Sequence, residues 1–151
     1  MTVNESFVGR VYPPDAVYEV GREKIREFAE ATSGGLPVHP AHTDPEAARA
    51  LGHPDVIAPP TFAVIAAQRS DARLVLDPEA GIDYSRVVHG EQRFVHHRPV
   101  VAGDRLVAAL HVDSVRSAGG HSMVTTRSEL TTEDGEAVCT ATSTIVVRGD
   151  A

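Results

Sequence analysis

The chain has 151 residues, enough for one domain with a sizeable core. Its formal net charge is −7, and Lys24 is the only lysine among 14 basic residues. An acidic balance lacks the basic patch that a nucleic-acid partner requires, no apolar run is long enough to span a membrane, and no signal-peptide pattern opens the chain. The lone Cys139 excludes an internal disulfide and fits a reducing compartment, so a cytoplasmic location is expected. Trp is absent and aromatics are few, which weighs against sugar or base stacking. The preference for Arg over Lys leans toward a high-GC bacterium.

In chain order, residues 1–6 are expected to fray. Phe7, Val8, Val11 and Tyr12 then precede Pro13-Pro14, and VYEV at 17–20 reads as a strand. From Arg22 to Thr32, Ile25, Phe28, Ala29 and Thr32 share one face at helical spacing. Ser33-Gly34-Gly35 ends that helix. The stretch Leu36–Ala41 carries Pro37 and Pro40 and reads as an extended loop.

The stretch His42–Phe62, HTDPEAARALGHPDVIAPPTF, organises the rest. Thr43 or Asp44 can cap a short helix. Pro45 fits its first position, where no N–H is needed, and Gly52 with Pro54 stops it. His42 therefore lies just before a helix N-terminus on a constrained backbone. Pro59-Pro60 opens a second helix, expected over about 60–70, whose residues Phe62–Ala67 are apolar almost all round and so buried. The following DARLVLDPEAGIDYS reads as loop.

From Arg86 onward the pattern becomes that of strands: 87–97, 104–115, 121–130 and 137–147 alternate or are β-branched. Gly103, Gly119-Gly120 and Asp134-Gly135 mark the turns, the last a strong hairpin signal. Residues 149–151 are expected to fray. One buried helix before a long antiparallel meander predicts a single α+β domain, a sheet wrapped around its own helix.

These segments together resemble the MaoC-like dehydratase/hydratase family, which has the hotdog fold. The resemblance is closest to the N-terminal-type branch of actinobacterial (3R)-hydroxyacyl-acyl-carrier-protein dehydratases. It spans nearly the whole chain: FVGRVYPPDAVYEVGREKIREFAEAT, the His42–Phe62 stretch, DYSRVVHGEQRFVHHRPVVAGDRL and the last two strands. Active members carry Asp-x-Asn-Pro-x-His-x-Asp, then a helix, a glycine and Ile-Ala-His-Gly. Their His and Asp act as acid and base at the α and β positions in adding or removing water across the α,β bond of an acyl thioester. The glycine N–H binds the thioester oxygen as enolate charge develops.

Aligned backward from Gly52, His42 falls on the family's catalytic histidine and Asp44 on the later carboxylate. The catalytic aspartate position holds Pro37. His39 is a second candidate for proton transfer. Ile57-Ala58-Pro59-Pro60 replaces Ile-Ala-His-Gly, so Pro60 brings no N–H to the oxyanion. The resemblance therefore implies a dehydratase/hydratase component in fatty-acid metabolism with a degenerate site. It would be the tunnel-forming, non-catalytic subunit of a heterodimer with a catalytic MaoC-like subunit, or a weak homodimeric enzyme. Asp44, Pro59, Pro60, Thr61, Phe62, Tyr84 and His89 are its candidate binding residues for an acyl-CoA or acyl-carrier-protein thioester. No cofactor is implied. The group His39, His42 and His53 is poorly spaced for a metal, and none is expected.

Two other readings stay open. One is a non-catalytic, acyl-thioester-binding or regulatory hotdog dimer. The other is a hotdog thioesterase, which needs a carboxylate on or beside the central helix. Thr61–Ser70 contains none, and Asp71 falls only at the expected helix end.

Overall fold

A computed structural model describes residues 2–149. Strands β1 (Val11–Tyr12) and β2 (Tyr18–Glu19) are short. The prolines between them have no N–H to give a ladder. Helix α1 (Arg22–Thr32) buries Ile25 and Ala29, one turn apart. On its open side Arg26 pairs with Glu23 and Glu30. A 3-10 turn at Pro40–His42 leads into helix α2 (Pro45–Ala50). Of the two candidate caps it is Asp44 that acts, its Oδ1 accepting from Glu46 N–H at 2.9 Å.

The central helix α3 spans Val64–Val75, displaced toward the C-terminus from the predicted 60–70. The Pro-Pro step starts a tight turn rather than the helix itself. Phe62 N–H bonds Pro59 O at 3.0 Å and Val64 N–H bonds Thr61 O at 3.1 Å, a three-residue spacing. At the other end, burial of Leu74 (2% exposed) carries the helix through a polar stretch that reads as loop. Asp77 then caps the next 3-10 turn, Pro78–Ala80, and the helix stops.

Four long strands follow: β3 (Val87–His96), β4 (Arg105–Ala118), β5 (His121–Thr132) and β6 (Ala137–Val147). The sheet is antiparallel in the order β1-β4-β5-β6-β3, with β2 also on β4. Gly119 and Gly120 join β4 to β5 with φ of 58° and 80°. A two-residue hairpin loop of this hand needs both residues at positive φ, which suits glycine. Because β3 precedes β4 in sequence yet lies at the far edge beside β6, the chain must cross the sheet between them. Arg98 pins that crossing. It grips Asp104 with two bonds of 2.8 and 3.0 Å and Glu136 with two of 2.8 and 3.3 Å.

The core divides along α3. Near its start, Phe62 packs against Tyr18 and Phe28, with ring centroids 6.3 and 5.4 Å away. Near its end, Leu74 packs with Leu110, Val112 and Val124. Arg73 ties the outer side of the helix to the β1 region, donating to Pro13 O, Tyr12 O and Ala108 O. Cys139 is fully buried, and burial pushes its thiol up to about 11.

The expected fraying does not hold for the described ends. Val3 and Phe7 are buried and Asn4 N–H donates to Ala80 O, because the second core cluster needs those side chains. At the C-terminal end, Gly149 N–H donates to His121 Nδ1. Met1, Asp150 and Ala151 lie outside the described residues.

Truncating the ring that fills the first cluster should be costly. Phe62→Ala is expected to lose about 3–5 kcal/mol, read as a lower urea midpoint at unchanged slope.

Candidate functional site

The His42 end of the molecule is built from backbone constraints. The Pro40–His42 turn is held by His39, whose Nδ1 accepts from Ala41 N–H at 3.1 Å. That bond uses the lone pair of the neutral ring and leaves the proton on Nε2. His39 therefore has no free basic nitrogen, and its local capping role replaces the expected one in proton transfer. His42 is placed differently. Its Nδ1 lies 2.7 Å from Ile57 O. A carbonyl only accepts, so Nδ1 carries the proton and Nε2 is left as a base with a fixed ring orientation. Among the described residues no carboxylate bonds to it. Pro37 is exposed on the preceding loop. Asp55, the nearest acid in sequence to Ile57, is engaged by Arg22 at 2.7 and 2.9 Å, which holds it below the usual carboxylate range.

The neighbouring Pro59–Phe62 turn contributes unevenly. Pro60 has no N–H, and its carbonyl accepts from His96 Nε2 at 2.7 Å. His96, on β3, was not singled out by the sequence, since only the tertiary fold brings the end of that strand to the turn. Thr61 is exposed and carries the first free-standing N–H after the two prolines. Pro59 is buried and Phe62 is 1% exposed with its ring in the core, so Phe62 supports the turn rather than meeting a ligand. Asp44 points its carboxylate at its own helix as a cap, not at a substrate.

Tyr84 and His89 lie elsewhere. They line a cavity of about 620 Å³ between the second half of α3 and strands β3 and β6. The two groups of candidates thus flank opposite ends of α3 and do not form one site. The apolar walls are Ala72, Val75, Leu76, Val87 and Ile145. The polar groups joining Tyr84 and His89 are Gln68, Asp71 and Ser143. The volume is that of an ordinary small-molecule pocket.

Asp71 is the residue that sequence reasoning placed wrongly. It sits inside α3, two turns from its start, not at its end. Its Oδ1 accepts from Thr126 Oγ1 of β5 at 2.7 Å. Burial pushes its pKa up, against the opposing pulls of the Thr126 hydroxyl and the charge of His89. The ground for setting a thioesterase aside, a central helix without a carboxylate, is therefore removed. The signal was available: Asp71 follows Ala67 by four residues, so the two share a helix face.

A raised carboxyl pKa makes the folded state hold its proton to higher pH than the unfolded chain does. Stability from this group is present at low pH and falls as pH rises through the folded value. Asp71→Asn should therefore be more stable than the parent at neutral pH, with the difference shrinking toward pH 4, as thermal melts across that range would show.

Comparison with known proteins agrees with this architecture. A family model described as "FAS1-like, dehydratase domain region" matches residues 6–141. A UPF0336 protein of Saccharopolyspora erythraea is 57% identical over 151 residues, covering 100% of this chain and 95% of that one. Among solved structures, the C-terminally truncated HadBC (3R-hydroxyacyl-ACP dehydratase) complex of Mycobacterium tuberculosis superposes with a TM-score of 0.82 at 37% identity, covering 93% of this chain and 96% of that chain. A MaoC-like dehydratase superposes with a TM-score of 0.85 at 36% identity, covering 96% of this chain and 43% of that chain. With its single wrapped helix and its histidine-bearing turn, the chain belongs to the FAS1-like, MaoC-type dehydratase family of hotdog proteins.

Proposed function

We propose that this chain is one subunit of a (3R)-hydroxyacyl-thioester dehydratase, acting on acyl-CoA or acyl-carrier-protein substrates of fatty-acid metabolism, and that it shapes the acyl site while a partner subunit supplies the catalytic Asp/His pair. One observation carries the reading. His42 is held as an oriented base by Ile57 O, yet no carboxylate among the described residues bonds to it and Pro37 stands where the family's aspartate belongs. Dehydration needs both groups: a base to take the α-proton and an acid to protonate the departing β-hydroxyl. It also needs donors for the enolate oxygen, and Pro60 has none to offer. Loss of one oxyanion donor costs roughly 10²–10³ in rate, and loss of a general acid roughly 10²–10⁴.

The fold supports a two-subunit arrangement. Strand β3 ends the sheet, and an uncovered edge invites pairing with another chain. Val88 and Val95 on β3 are exposed apolar side chains along that edge. The HadBC neighbour named above is described as a complex, and its likeness to this chain supports a heterodimer over a homodimer. A ligand-binding dimer without chemistry is the alternative, favoured by the same missing carboxylate. No helix among the described residues is long and apolar enough to cross a membrane.

Crotonyl-CoA hydration distinguishes the readings. The chain alone should show no turnover, while mixing it with a hotdog subunit bearing an intact Asp/His pair should raise that subunit's rate at least tenfold. His42→Ala in this chain should leave the mixed rate within about threefold. Turnover by the chain alone that His42→Ala abolishes would overturn the proposal, and thioester binding without turnover in either setting would favour the alternative.

A further inference from the structure

The helix-facing surface of the sheet is not uniformly apolar. Thr126 of β5, Ser143 of β6 and Gln92 of β3 are aligned across three neighbouring strands, Thr126 opposite Ser143 and Ser143 opposite Gln92. Directly opposed residues project from the same face. This polar row runs beneath α3 and separates the two apolar clusters. Thr126 and Ser143 are 4% and 3% exposed. Water has little access to the row, so each polar atom in it needs a partner.

Several atoms have none inside the chain. Thr126 satisfies only Oδ1 of Asp71. The Gln92 amide donates from Nε2 to Thr142 O, while its Oε1 is buried without a hydrogen-bond partner. His89, beside the row and exposed, has Nε2 3.0 Å from Glu91 O, where it must donate, which leaves Nδ1 of the neutral ring as an acceptor. Asp71, Ser143 and His89 all line the cavity whose other walls are aliphatic. The bulge at Gly90, between His89 and Glu91, is what keeps both His89 and Gln92 on the helix side of β3.

This set defines a ligand. Gln92 belongs to the row but does not line the cavity; the free acceptors that do are the second Asp71 oxygen and His89 Nδ1, with the Tyr84, Ser143 and Gln68 side chains available as donors. A carboxylate ligand would only accept and would meet Asp71. Charge of either sign is poorly placed in a site where burial already raises the Asp71 pKa. A neutral hydroxyl both donates and accepts. The aliphatic walls call for a hydrocarbon stem, and the open side beside Tyr84 and Leu76, 73% and 75% exposed, gives it a way in. The seam lies at the inner wall, about 10 Å along the helix from Val64, so the group that reaches it is carried on the tail of the ligand.

We propose that this cavity binds the tail of a hydroxylated aliphatic acyl chain, with Asp71 and His89 as specificity-determining residues that recognise its hydroxyl. The proposal rests on the acyl-thioester reading for the identity of the chain, and goes beyond it in requiring an oxygen function remote from the thioester.

The test is titration calorimetry of the whole chain with dodecanoyl-CoA and with 12-hydroxydodecanoyl-CoA. The hydroxylated ester is expected to bind about tenfold more tightly, the factor set by about 1.4 kcal/mol. In Asp71→Leu and in His89→Leu the preference for the hydroxylated ester should fall below about twofold. His89 is exposed, so its variant remains a folded probe even if Asp71→Leu is not. Equal affinity of the parent for the two esters overturns this proposal alone, as does a preference that survives in His89→Leu. Failure of either ester to bind overturns it together with the acyl-thioester reading.

Discussion

The seat of α3 on the sheet is the constraint on which the other features depend. Phe62 anchors its approach in one apolar cluster and Leu74 anchors its end in the other, while Arg73 reaches three carbonyls of the flanking strands. Between the anchors the helix meets the sheet through a hydrogen bond, Thr126 to Asp71, as well as through the buried Ala63, Ala66 and Ala67. A buried polar contact of this kind adds little net stability when satisfied and costs much when broken. It sets the rotation of the helix more sharply than apolar packing would, since a small turn would strip Asp71 of its partner.

That seating gives the two ends of α3 different chemistry. At the leading end, prolines and a 3-10 turn create rigid backbone, and the groups on offer are an oriented imidazole and a sparse supply of N–H donors. At the trailing end, the helix and the β3 edge stand apart and enclose a cavity with aliphatic walls and a polar floor. Binding energy gathered at a remote pocket can position a reacting group elsewhere on the same ligand. A subunit that grips the chain at one end and leaves the reaction to a partner's Asp/His pair at the other is consistent with that division.

Much of the fold was legible because local signals and burial agree. The Asp44 cap, the stop at Ser33-Gly34-Gly35, the β6 span and the two-glycine hairpin follow from backbone preferences that act within a few residues. The boundaries of α3 were not legible. Pro59-Pro60 is as good a start for a tight turn as for a helix, and the choice depends on where Phe62 finds its ring partners. The polar residues of Asp71–Arg73 resemble a loop until Thr126 and the β1 carbonyls are in place to receive them. The candidate residues divided for the same reason. His42 and Pro60 stand where the motif spacing puts them. Tyr84 and His89, which flank the start of β3, belong to a separate cavity against the second half of α3.

By itself the sequence determined the identity of the fold, the position of the histidine-bearing turn and the prolines, Pro37 and Pro60, that flank it, because these depend on residue type and short spacing. Only the tertiary structure decided that His39 is a cap and His42 a free base, that Asp71 is an interior carboxyl, and that a polar row crosses the sheet beneath the helix. Each of those is a matter of which distant group lies within about 3 Å, and strand register and helix rotation set such distances only after the whole chain has packed.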